Sequence, residues 1–151
     1  MDSNFRNTLT IAYLNIHGQS GLSVPKQKQI EDFLRNNDVD ILHSQEINIE
    51  EDMFSQCHYL SSNYSIIQNN ALNKYGTATF LKTEYQPENI KVDTMGRAIF
   101  FEILGITLGN VYLHSGISKI TCQDQQEKTS VLRQFLNYCW IARTLGAGEE
   151  I

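Results

Sequence analysis

Leu14-Asn15-Ile16-His17-Gly18 closes an apolar run that begins at Leu9, and Ser44-Gln45-Glu46 closes another that begins at Val39. A run with so few polar breaks reads as a central strand covered on both faces. A polar side chain at its end then stands at the rim of a buried sheet. Gln19–Val24 reads as a loop, and Pro25 suits the first turn of a helix. Ile30, Phe33 and Leu34 follow at i, i+3 and i+4 among charged residues, which predicts an amphipathic helix ended by Asn36-Asn37. Strand, helix, strand in succession lays the two strands parallel in one sheet, with their C-terminal ends on one edge. Asn15 and Glu46 therefore meet.

Further on, Tyr64–Ile67 reads as a short strand, followed by an Asn-rich turn with Asn69, Asn70 and Asn73, and Gly76–Leu81 as another strand. Arg97–Leu104 and Ile106–Leu113 are β-rich runs meeting at Gly105, a hairpin whose second strand leads into Asn110-Val111-Tyr112-Leu113-His114-Ser115. Val131, Leu132, Phe135, Leu136 and Cys139 recur at helical spacing and predict a last helix from about Asp124 to Trp140. Beyond it no periodicity is sustained, so residues 141–151 read as an irregular tail.

Glu46 is the leading candidate for chemistry. A carboxylate at the end of a buried strand is paired, solvated or on a cation; in an arbitrary protein solvation would be the ordinary answer. Asn15 taken alone is a strand-end turn residue, and Tyr112 taken alone a sheet-edge aromatic. His17 reads as a surface imidazole without a role. Cys57-His58 are adjacent but lack the second ligand pair that would close a tetrahedral metal site.

The order of these phrases resembles the endonuclease/exonuclease/phosphatase superfamily. The apolar strand ending in Asn15 with Gly18 three residues on, the strand ending in Gln45-Glu46, the glycine-led strand Tyr75-Gly76-Thr77-Ala78 and the strand ending in Tyr112 stand in that family's order. Their compact spacing is most similar to the endonuclease of non-LTR retrotransposons. The resemblance implies an α/β (α+β) fold, part of a four-layer α/β/β/α sandwich, with mostly the first sheet and its helices in this chain. It makes residues 8–140 a partial domain of that type. It implies Mg²⁺, or Mn²⁺ in its place, held by Glu46, with Asn15 and Tyr112 as catalytic residues and DNA as substrate. The Tyr75–Ala78 match reads as structural. Position 17 carries His where relatives often carry an acid or amide, and His114 stands where they commonly carry Pro. The family's second half, a Gly-Asp-x-Asn turn and a final Asp-His pair, has no match here, so the chain is expected to be weakly active or inactive alone. The alternatives are another phosphoesterase of the superfamily (an inositol phosphatase, a sphingomyelinase-like enzyme or a deadenylase) and a non-catalytic binding module.

Composition narrows the setting. The 151 residues suffice for one sizeable core, and a net charge of −5 argues mildly against a protein that grips nucleic acid through a cationic surface. A metal site answers that objection in part, because the cation supplies local positive charge. Three cysteines without a CxxC pair fit a reducing compartment better than a disulfide framework. No apolar run nears the roughly 18 residues of a membrane span, and the polar start lacks a secretory h-region. The expectation is an intracellular protein, nuclear or cytoplasmic. A half-built sandwich would leave a sheet face bare, so self-association is expected as well.

Overall fold

The computed structural model describes residues 8–17, 22–50, 53–71 and 75–113, together with Gln126, Thr129, Ser130 and Arg133. In chain order the elements are β1 (Ile11–Asn15), α1 (Val24–Asn37), β2 (Ile41–Gln45), α2 (His58–Asn63), β3 (Tyr64–Asn69), β4 (Thr77–Lys82), β5 (Glu88–Val92), β6 (Ala98–Ile103) and β7 (Ile106–Val111). One sheet runs β1-β2-β4-β3 and a second runs β5-β6-β7.

β1 and β2 are parallel, in register from Ile11 opposite Ile41 to Asn15 opposite Gln45. This is the arrangement the strand–helix–strand order predicts. Pro25 lies in the first turn of α1, and Asp38 ends the helix in the left-handed conformation at φ 48°, which Asp tolerates better than most residues. Ile30 and Leu34 are buried, whereas Phe33 sits at the margin of that face, 36% exposed.

Period-2 alternation sorts the first sheet into two faces. Leu42, Ala78 and Phe80 pack with Ile30, Leu34 and Leu60 of the helices. Ile41 and Leu81 point the other way and pack with Ile99, Phe101 and Ile103 of β6. The two sheets thus lie face to face with helices outside the first, a mixed α/β sandwich, as the resemblance implied.

One expectation needs correction. A sheet face was expected to stand bare, but the hairpin Arg97–Leu113 lies over it and is no part of the first sheet. It builds a second sheet with β5 and covers that face itself, because Ile99, Phe101 and Ile103 are apolar at alternate positions and pack on Ile41 and Leu81. β7 lies against β2 and β4, and β6 against β4 and β3. β1, expected from its apolar run to be a central strand covered on both faces, is instead an edge strand among the described residues, with Tyr13 61% exposed.

The supposed Asn-rich turn also begins later than expected. β3 continues to Asn69, whose buried amide donates to Asp93 Oδ1 at 2.7 Å and to the Ala98 carbonyl at 2.9 Å. Of the last predicted helix, Gln126, Thr129, Ser130 and Arg133 are helical and exposed, the polar stripe such a helix needs. Its remaining residues, His114-Ser115 and the 141–151 tail lie outside the described residues.

Candidate functional site

The site forms where three strands run out at one edge. The β1–β2 pairing continues one step past β1, with the Ile16 amide donating to the Gln45 carbonyl at 3.0 Å. Both chains then turn sharply through a residue in the left-handed region, His17 at φ 49° and Glu46 at φ 56°. Such conformations cost a non-glycine residue free energy and are held only where surroundings enforce them. The enforcing contacts are visible. Asn15 Oδ1 accepts from the His17 amide at 3.1 Å. The Lys26 ammonium donates to the carbonyls of Ile16 and His17 at 3.1 and 3.3 Å. On the other turn, the Ile47 amide donates to the Gly76 carbonyl at 3.2 Å.

Tyr112 arrives from the second sheet. Its amide donates to the Arg97 carbonyl at 2.8 Å, one step beyond the Ala98–Val111 pair. The Arg97 guanidinium lies over its ring, 4.8 Å from the centroid. Below the site, buried Asn110 ties the sheets together: its amide nitrogen donates to the Ser44 and Ala78 carbonyls at 3.1 and 3.0 Å, and its oxygen accepts from Gln45 at 3.2 Å.

These supports bring three side chains onto one carboxylate. Glu46 Oε1 accepts from Asn15 Nδ2 at 3.0 Å and from the Tyr112 hydroxyl at 2.7 Å, and Oε2 lies 2.8 Å from His17 Nδ1. Burial alone would push the Glu46 carboxyl up. The hydrogen bonds from Asn15, Tyr112 and His17 outweigh it and hold the group below its ordinary range. Burial, then donation to Glu46, pushes the Tyr112 phenol up to about 12. The site at neutral pH is thus an ionised carboxylate faced by a phenol that keeps its proton.

All three residues singled out from the sequence, Asn15, Glu46 and Tyr112, therefore meet. His17, read from the sequence as a surface imidazole without a role, is 72% exposed in its side chain but contacts the Glu46 carboxylate through Nδ1. Arg97 was missed, its sole signal being its position just before a strand that pairs with the Tyr112 strand. Cys57 is buried and free, and among the described residues no three His, Cys, Asp or Glu side chains gather. The donors at this edge do fit a hard divalent cation held through one carboxylate oxygen. Oε1 is occupied by two donors, while Oε2 faces His17 alone among the described residues and retains acceptor capacity.

No family model and no curated protein matches the sequence. Solved structures do match. An AP endonuclease from Archaeoglobus fulgidus superposes with a TM-score of 0.64 at 23% identity, over 87% of this chain and 51% of that one. TDP2 from Caenorhabditis elegans gives 0.64 at 20%, over 93% and 44%. The 3′-5′ exonuclease NExo from Neisseria meningitidis gives 0.61 at 18%, over 83% and 50%. The chain has the endonuclease/exonuclease/phosphatase fold. It spans about half the length of the structures that share this fold with it. Among the described residues no helix is long and apolar enough to cross a membrane.

Proposed function

We propose that this chain carries the Asn–Glu–Tyr part of a phosphodiester-hydrolysing site that uses Mg²⁺ or Mn²⁺ and acts on DNA, in the manner of a non-LTR retrotransposon endonuclease. The observation that supports it is the convergence of Asn15, His17 and Tyr112 on the ionised Glu46 carboxylate. Residues 8–140 would form this partial domain and 141–151 a tail. The names of the superposed AP endonuclease and exonuclease favour a nucleic-acid substrate within the fold, although a fold by itself does not select one.

Each residue has a task that its geometry permits. Glu46 would hold the cation, which when bound would offset negative charge on the phosphate. Asn15 orients that carboxylate through its amide and fixes the His17 turn through its oxygen. Tyr112, protonated across the physiological range, can donate a hydrogen bond to a phosphate oxygen as charge develops there. Activating water needs a further positioned base, and no Gly-Asp-x-Asn turn or late Asp-His pair occurs in these 151 residues.

Nicking of supercoiled plasmid by the purified chain with Mg²⁺ should accordingly be slow and close to background. What remains should vanish with chelator, in Glu46→Ala and in Tyr112→Phe. Nicking that survives Glu46→Ala would contradict the proposal. Faster hydrolysis of inositol phosphates or sphingomyelin than of DNA would transfer the fold to another phosphoesterase class.

A further inference from the structure

Asn110 occupies a core position that the alternation of β7 would give to an apolar side chain. Leu108, two residues earlier on the same face, packs with Ile99, Phe101 and Ile103 between the sheets. Asn110 is fully buried, and an amide there costs free energy unless its donors and its acceptor are engaged. All are. Nδ2 donates to the Ser44 carbonyl at 3.1 Å and to the Ala78 carbonyl at 3.0 Å, and Oδ1 accepts from Gln45 Nε2 at 3.2 Å. One side chain of the second sheet is thus bonded to both β2 and β4 of the first. The apolar contacts of Ile41 and Leu81 with β6 are non-directional and do not by themselves fix how far one sheet slides over the other. Hydrogen bonds of set length and direction do. Asn69 ties the sheets at the same edge, but from β3, and it reaches Asp93 and Ala98 rather than the strand that carries Tyr112.

These bonds lie directly beneath the site. Ser44 stands two residues before Glu46, and Asn110 two residues before Tyr112. The Asn110–Ser44 and Tyr112–Glu46 bonds therefore join positions the same 66 residues apart, one pair above the other. From Asn110 to Tyr112 is about 7 Å of strand, so a slip at the lower bond is carried to the phenol. We propose that Asn110 is a positioning residue for this site: by bonding β7 to β2 and β4 it sets the approach at which the Tyr112 hydroxyl meets the Glu46 carboxylate. It thereby sets where the phenol can reach a phosphate oxygen. A misplacement of about 1 Å can cost a reaction about a hundredfold. The inference rests on the reading of Tyr112 as a donor to phosphate, but the positioning itself is observable without substrate or hydrolysis.

The test uses the full chain and reads proton–proton nuclear Overhauser contacts. Asn15 Nδ2 and the Tyr112 hydroxyl share Glu46 Oε1. The Asn15 side-chain amide protons and the Tyr112 ring protons beside the hydroxyl should therefore give a cross-peak in wild type. In Asn110→Leu, similar in size but without hydrogen bonds, that cross-peak should fall at least threefold. Asn110→Ser, whose hydroxyl falls short of the carbonyls, should lose it to the same extent and covers the case in which leucine does not fit. Ile103→Val, which trims the apolar end of the same interface, should lower the melting temperature and leave the cross-peak intact. A merely structural role for Asn110 would lower the melting temperature and leave the cross-peak of the folded protein as in wild type. That result in either Asn110 variant would overturn the inference. Residual Mg²⁺-dependent nicking should fall in Asn110→Leu and fall no further when Tyr112→Phe is added, because the one acts through the other. An undiminished cross-peak with nicking that still depends on Glu46 and Tyr112 would sink this inference alone. A lost cross-peak with nicking indifferent to Tyr112→Phe would sink the hydrolase reading alone.

Discussion

At the residue scale the burial of His43 has a measurable consequence. His43, on the face of β2 turned to the second sheet, is fully buried, donates or accepts through Nδ1 with Thr79 Oγ1 at 3.0 Å, and leaves Nε2 without a partner among the described residues. Tyr13 and Phe101 flank the ring. Burial pushes its pKa from 6.5 down to about 4, so the unfolded chain binds a proton in a range where the folded one does not. The stability this neutral ring confers is complete above pH 6.5 and is lost as pH falls from there towards 4. The loss should amount to about 3 kcal/mol over that window, measured by denaturant melts at several pH values against His43→Gln, whose slope there should be smaller. Equal slopes would show that the imidazole is accessible to protons in the folded state. His17 illustrates the opposite case, an exposed imidazole with a site contact. Its legibility in sequence was low for a physical reason: an exposed ring leaves no hydrophobic pattern, and its approach to Glu46 is set by two left-handed turns in strands 31 residues apart from Asn15 to Glu46. Asn15 and Glu46 were readable because each ends an apolar run, and parallel pairing forces the ends together.

At the element scale two glycines separate close approach from backbone conformation. A Cβ on Gly76 would lie 2.4 Å from the Asn69 carbonyl oxygen, 2.6 Å from Asn48 Oδ1 and 2.9 Å from the Ile47 carbonyl oxygen. These atoms brace the loop that follows Glu46, where Asn48 Oδ1 also accepts from the amides of Ala71 and Gly76. Gly105 instead meets nothing within 4 Å, but it and Leu104 both have positive φ in the two-residue turn joining β6 to β7. Gly105→Ala should therefore cost about 1 kcal/mol and Gly76→Ala about 2–4 kcal/mol, by thermal or denaturant melts. The reverse order would mean that the Glu46 loop yields easily. The same contrast explains which elements were legible. β1, α1, β2 and the β6–β7 hairpin carry continuous or periodic apolar residues. All five residues of β5 are exposed, and α2 has only six residues with one buried, so neither carries a periodicity to read. Asn69 has a turn-former's composition, but its side chain spends that hydrogen-bonding capacity across the sheets on Asp93 and Ala98.

At the scale of the whole molecule, the second sheet protects most of the first but stops short of β1. Tyr13 and Leu14 on that strand, and Ile106 on β7, are exposed, and both strands are sheet edges among the described residues. Exposed edges flanked by apolar side chains invite pairing with another chain. Sedimentation should show concentration-dependent self-association, reduced in Tyr13→Lys; a monodisperse monomer with a sharp, high melting transition would show that this side needs no cover. The central claim, however, is that three strand ends make one cation-binding carboxylate. A single carboxylate with few partners makes a weak Mg²⁺ site, and its occupancy must depend on Glu46. Calorimetric titration with Mg²⁺ and Mn²⁺ tests this most directly: the account predicts binding weaker than about micromolar that disappears in Glu46→Ala, and binding that persists unchanged in Glu46→Ala would contradict it.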